Sequence, residues 1–278
     1  MRAFIFLAAL LCGLPSLAAN RCDLSEPTRY ADVGEVRLAY QSIGSERDPA
    51  LLLVMGLGGQ LIHWPDEVVE RLCQQGFRVV RFDNRDVGLS TWRRPAPSIN
   101  LPYEVLRYRL GLSLGAPYHL RDMAGDALGL MNSLGVDAFH VLGASMGGMI
   151  AQIVAAKYPE KVEKLGLLFT SNNQPFLPPP FPKQLFSLLE RPKSQDENSI
   201  VEHSLKLFRV IGSPGYVNQL DAIQTARKLY QRSYYPAGVL QQFLAILCTG
   251  SLLQLDKQIR QETLVVHGSQ DRLLPPSH

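Results

Sequence analysis

The sequence has no run of basic residues, and its 28 Lys+Arg nearly balance 25 Asp+Glu, for a net charge of +3. That balance excludes the extended cationic face with which proteins hold nucleic acid or an anionic membrane surface. Cysteine is scarce, four in 278 residues, and no CxxC or Cys/His cluster stands at metal-ligand spacing. A structural zinc site is excluded on that ground. No apolar run reaches the ~20 residues that a membrane-spanning helix needs, and there is no internal repeat or low-complexity tract beyond Pro178-Pro179-Pro180. Disorder is excluded as well, because 46% hydrophobic and 19% charged residues are the proportions of an ordinary globular chain.

What is present begins with a leader-like segment. Arg2 precedes an uncharged apolar stretch from Ala3 to Leu14, and Pro15-Ser16-Leu17-Ala18-Ala19 supplies a breaker followed by small residues. This pattern predicts a secretory signal peptide over residues 1–19, with cleavage after Ala18 or Ala19 and a secreted or periplasmic product. Cys12 leaves with that segment. An oxidising compartment permits a disulfide among Cys22, Cys73 and Cys248, but three is an odd number and the pairing stays open.

After the signal, strand and helix patterns alternate. Strands are expected at 36–43, 51–55, 77–82, 139–142 and 162–169, and helices at 65–75, 121–134 and 146–158. Alternation of this kind implies an α/β fold, a mostly parallel sheet covered by helices on both faces. The rhythm breaks at a proline-rich stretch, 172–182, and returns with an apolar strand at 263–267. The predicted organisation is therefore a core over 20–172, a helical cap over 173–258, and the core continued over 259–278.

The candidate chemistry lies at the strand ends. Gly143-Ala144-Ser145-Met146-Gly147-Gly148 follows one strand and opens a helix. A nucleophile on a sharp strand-to-helix turn needs glycines two before and two after, where the backbone leaves no room for side chains. The helix N-terminus then turns free N–H groups and its positive dipole end toward the reacting oxygen. Met55-Gly56-Leu57-Gly58-Gly59 follows an earlier apolar strand. It does not fit G-x-G-x-x-G, and no basic residue follows it to meet phosphates, which argues against a nucleotide loop. The N–H groups of Leu57 and Met146 are the expected oxyanion donors, each worth ~3–4 kcal/mol, with Gly56, Gly143 and Gly147 shaping the turns.

The run from Val54 to Pro65, the run from Phe77 to Thr91 and the serine turn together resemble the α/β-hydrolase fold family, within it the group that includes aclacinomycin methylesterase. The resemblance implies ester or related acyl hydrolysis by Ser, Asp and His, with no cofactor. Met55 stands where many members of that family carry His. The segment Val265-Val266-His267-Gly268-Ser269-Gln270-Asp271 is similar to the one that carries the family's acid, and its match is Asp271. A carboxylate just past a strand end can fix the tautomer of an imidazole and stabilise the imidazolium.

The family places its histidine on the loop after one further strand, whereas only seven residues follow Asp271. The base is therefore expected beyond His278, together with the last strand and helix of the fold. His63 is expected to shape the pocket. His119, His140, His203 and His267 read as packing or surface residues, and Asp83 with Arg85 as a structural ion pair at a strand end. The function expected is a serine-dependent esterase acting on a small-molecule ester, bulky or hydrophobic, under an apolar cap surface of Phe176, Leu177, Phe181, Leu185, Phe186 and Phe208. A lactonase, perhydrolase, carbon–carbon bond hydrolase or non-catalytic ligand-binding relative would share the scaffold.

Overall fold

A strand of five apolar residues, Ala50–Val54, is buried along its whole length because both of its faces are covered. Leu52 and Val54 enter one core with Val80, Phe82 and Val141, while Leu51 and Leu53 enter the other with Ile43, Trp64, Val69 and Val79. The period-2 alternation of a strand sends the two sets to opposite faces. The computed structural model describes residues 22–94, 100–112, 115–212 and 219–278; the expected signal segment 1–19 lies outside them.

Among the described residues the sheet has seven strands: β1 Arg29–Val33, β2 Val36–Ile43, β3 Ala50–Val54, β4 Arg78–Phe82, β5 Phe139–Ala144, β6 Val162–Leu168 and β7 Glu262–Val266. Their spatial order is β1-β2-β4-β3-β5-β6-β7. The five strands from β4 to β7 run parallel, and β1 and β2 add an antiparallel ribbon at one edge. At the other edge, among the described residues, β7 pairs only with β6, and Leu264, Val265 and Val266 are 62, 63 and 48% exposed. The sequence reading had no counterpart of β1, whose polar residues carry no strand signal of their own. Its partner is reached through a two-residue turn in which Gly34 takes φ 55°.

The helices are α1 Asp66–Gln74, α2 Leu101–Arg109, α3 Leu120–Ser133, α4 Met146–Lys157, α5 Pro182–Leu189, α6 Glu197–Ile211, α7 Gln219–Arg232, α8 Pro236–Thr249 and α9 Leu253–Asp256. α3 and α4 cover the first face and α1 the second. α4 is buried from Met146 to Ala156, so it reads as apolar nearly all round. Between β6 and β7, α5, α6 and α7 pack in series, α8 lies on α2 and α3, and α9 on α4.

Two polar features are built into these layers. Arg81, inside β4, gives its guanidinium to the Gln41 side chain, the Trp64 carbonyl and the Asp66 carboxylate. Cys22 and Cys73 form a disulfide that ties the segment before β1 to α1, and Cys248 is a free thiol that burial pushes up to about 11. The bridge closes a 51-residue separation, which in the chain-entropy model stabilises the fold by about 4 kcal/mol.

Candidate active site

Because β3, β4, β5, β6 and β7 are parallel, the loops after them share one edge of the sheet, where α/β proteins place their ligands. Ser145 stands there, between the end of β5 and the first turn of α4, with φ 53° and ψ −123°. A side chain in that conformation is strained by about 1–3 kcal/mol and persists only where its surroundings fix it. Here they do. The Ser145 N–H donates to the Leu168 carbonyl at 2.9 Å, and its own carbonyl accepts from Gly148 N–H at 2.8 Å and from the Thr170 hydroxyl at 2.6 Å.

The glycines of the turn are steric requirements. A methyl group on Gly143 would collide with the Gly147 carbonyl, and one on Gly147 with the Val54 carbonyl. Gly56 brings the loop after β3 against the serine: a Cβ there would lie 3.0 Å from the Ser145 Cβ and 3.5 Å from its Oγ. Neither the Leu57 nor the Met146 N–H makes a hydrogen bond to another of the described residues. Both are therefore open to an acceptor placed beside Ser145, at the positive end of α4.

Asp271 follows β7 on the same edge. Its Oδ1 accepts the N–H groups of Leu273 at 2.8 Å and Leu274 at 2.9 Å, and its Oδ2 lies 3.8 Å from His267 Nε2. The His267 Nε2 lies nearer, 2.8 Å, to the Leu274 carbonyl. His278 lies with Nδ1 2.9 Å from the Ser171 hydroxyl and Nε2 2.8 Å from the Pro178 carbonyl. No histidine ring hydrogen-bonds the Ser145 hydroxyl among the described residues. His140 meets Glu163 at the far end of β5, and His119 caps α3. His63 accepts the Gln60 N–H on Nδ1, and burial lowers its pKa to about 4, which leaves the ring neutral.

The ion pair expected between Asp83 and Arg85 does not form. Asp83 pairs with Arg232 of α7 at 2.8 Å, and Arg85 makes a bidentate pair with Asp126 of α3, both bonds 2.6 Å. The chain turns between the two residues, with Asp86 at φ 65°. One side chain thus faces the loop after β3 and the other the helical layer. Asp83 also accepts the N–H groups of Leu61 and Leu89. Burial raises its pKa, against the pull of Arg232 and those N–H groups. Gln60 donates to the Leu229 and Ser233 carbonyls and accepts from Arg232. These contacts bolt the inserted helices to the strand-end loops, and no local pattern in the sequence marked their partners. Of the expected cap surface, Phe176, Phe181 and Phe186 stand exposed, whereas Leu177, Leu185 and Phe208 are partly buried.

With this geometry in place, the family model for the alpha/beta hydrolase fold matches residues 49–278. The chain belongs to the alpha/beta hydrolase fold family. It is 36% identical over 142 residues to rhodomycin D methylesterase DauP of Streptomyces sp. (strain C5), covering 51% of this chain and 42% of that one. It is 30% identical over 208 residues to rhodomycin D methylesterase DnrP of Streptomyces peucetius, covering 68% of this chain and 63% of that one. The matches thus span between about two-fifths and two-thirds of the length of these curated relatives. Among solved structures, the enol-lactonase from Burkholderia xenovorans LB400 superposes with a TM-score of 0.65 at 20% identity, covering 90% of this chain and 84% of that one. The last likeness concerns the fold alone.

Proposed function

We propose that this protein hydrolyses carboxylic esters through an acyl-enzyme on Ser145, with Asp271 as the orienting acid and the Leu57 and Met146 N–H groups as oxyanion donors. The observation that carries the reading is the Ser145 turn: a serine at φ 53°, at the N-terminus of a buried helix and against Gly56. Ser145 Oγ attacks the acyl carbon while a base takes its proton. The carbonyl oxygen gathers negative charge, and the two backbone donors stabilise it. Collapse of that intermediate expels the alcohol, which takes up the proton. Water then repeats the sequence and frees the acid and the serine. Among the described residues no histidine ring hydrogen-bonds the Ser145 hydroxyl, and the proposal assigns the base to none of these contacts. Both curated relatives are named methylesterases, which favours a small alkyl ester as substrate.

Ser145→Ala is expected to lower turnover of a short p-nitrophenyl ester by about 10⁶ and to abolish labelling by a fluorophosphonate, with the circular dichroism spectrum unchanged. Turnover or labelling that survives the substitution overturns the reading. Export is part of the same proposal, and the Cys22–Cys73 disulfide suits an oxidising compartment. Protein recovered from the periplasm of a Gram-negative host should begin at Ala19 or Asn20; soluble cytoplasmic protein that still begins at Met1 contradicts it.

A further inference from the structure

Helix α8 reaches into the glycine loop after β3. Gln242, fully buried, accepts the Gly58 N–H on Oε1 at 2.8 Å and donates through Nε2 to the Arg85 carbonyl at 2.7 Å. The two partners settle which end of the amide faces which way, since only the oxygen can accept and only the nitrogen can donate. One turn earlier on α8, Val239 packs on the same glycine: a Cβ at Gly58, which takes φ 67°, would lie 3.0 Å from the Val239 Cγ2. The loop is held at two further points. Asn84 donates to the Met55 carbonyl at 3.0 Å, and the Gly59 N–H closes onto the Gly56 carbonyl at 3.0 Å. Gln242 and Val239 are holds on Gly58 itself from α8, beside those that α7 and Ser233 make on Gln60.

The Leu57 N–H belongs to the peptide plane next to the one that carries the Gly58 N–H. Planar peptides leave two soft dihedrals between those planes, so anchoring the second plane restricts where the first can point. A buried side-chain amide with both ends bonded resists displacement, because either broken bond leaves a polar group without a partner and away from water.

We infer that Gln242 is a positioning residue for the hydrolysis: by holding the Gly58 amide it aims the Leu57 N–H at the developing oxyanion, and so couples the placement of α8 to the chemistry at Ser145. The inference rests on the serine-hydrolase reading above. Two substitutions separate it from a merely structural role. Gln242→Met keeps the length and bulk but makes neither bond. Gln242→Glu keeps an acceptor for Gly58 while setting a carboxylate against the Arg85 carbonyl.

The experiment measures kcat and KM on a short ester, the melting temperature, and amide exchange at Gly58, for the whole protein as its gene encodes it. A full oxyanion donor is worth about 10²–10³ in kcat, so a misaimed one should lose part of that. Gln242→Met is expected to lower kcat about 10–100-fold with KM within about threefold, and to speed Gly58 exchange. Gln242→Glu should lower kcat less than Gln242→Met while lowering the melting temperature more. Kcat losses that simply follow the melting temperatures, or Gly58 exchange unchanged in Gln242→Met, overturn the inference. Should Gln242→Glu not fold, the exchange and the kcat–KM split of Gln242→Met decide alone. Turnover that survives Ser145→Ala removes the serine reading and this inference with it. Turnover lost in Ser145→Ala but with kcat intact in Gln242→Met removes this inference only.

Discussion

The turn that carries Ser145 and the turn that carries Asp271 lie on one edge of one sheet, yet they are held very differently. Ser145 follows β5, which has β3 on one side and β6 on the other, and it opens a helix buried from Met146 to Ala156. Its backbone is fixed by bonds to Leu168, Gly148 and Thr170, and its glycines admit no side chain. Asp271 follows β7, whose partner among the described residues is β6. Its turn is held chiefly from within, by the Leu273 and Leu274 N–H groups on its own carboxylate. Strain can be kept where the surroundings over-determine the backbone, and a strained nucleophile turn belongs in the middle of a sheet.

The contrast can be attacked in order of expected effect. Asp271→Asn should lower kcat by about 10⁴ through the wrong imidazole tautomer. The asparagine oxygen still accepts from Leu273 and Leu274, so stability should stay within about 0.5 kcal/mol. Paired steady-state and urea measurements check both halves, and a large loss of stability would show the acid turn to be as tightly built as the serine turn. Next, Gly147→Ala should destabilise by about 3–5 kcal/mol, because the new methyl meets the backbone carbonyl of Val54. Gly268→Ala should change stability by less than about 0.5 kcal/mol, since a Cβ there meets nothing nearer than 3.7 Å. Equal losses in urea unfolding would erase the contrast.

A control lies away from both turns. Cys73→Ser opens the bridge to Cys22 and should destabilise by about 2–5 kcal/mol, with turnover at low temperature unchanged. The smallest effect concerns Asp256 of α9, whose Oδ1 is buried without a hydrogen-bond partner among the described residues and whose pKa burial raises to about 6. A folded-state value above the unfolded one means stability that is present below about pH 4 and lost as the pH rises through about 6. Asp256→Asn lacks that loss. Its melting temperature should gain on the wild type between pH 4 and pH 7, and a gap that shrinks over that range would contradict the sign.

Much of this fold was readable from the sequence because its centre is buried on both faces. Leu51 to Val54, Val79 and Val80, and the serine turn with its small-residue helix carry continuous apolar or glycine signals that no edge element needs. The reading faltered where partners are remote or signals polar. β1 is Arg-Tyr-Ala-Asp-Val and pairs on one side only. The odd cysteine count left open a bridge that only the folded chain selects, Cys22 to Cys73. Asp83 and Arg85, two apart, were assigned to each other although their partners Arg232 and Asp126 come from α7 and α3. Gln242 and Gly58 are 184 residues apart, and a lone glutamine in a helix carries no signal of its contact.

The insertion between β6 and β7 also sets an order of assembly. Their register joins Lys164 to Glu262, so the pairing closes a loop of about 100 residues, a length that adds little entropy for each further doubling. The order in which the chain emerges is more telling, since β7 follows the whole of the insertion. Before β7 emerges, β5, α4 and β6 can pack while β6 still has a bare edge. The serine turn is thus able to reach its final shape well before the acid has a strand to stand on, and nascent chains stalled at β6 are the ones most open to wrong pairing.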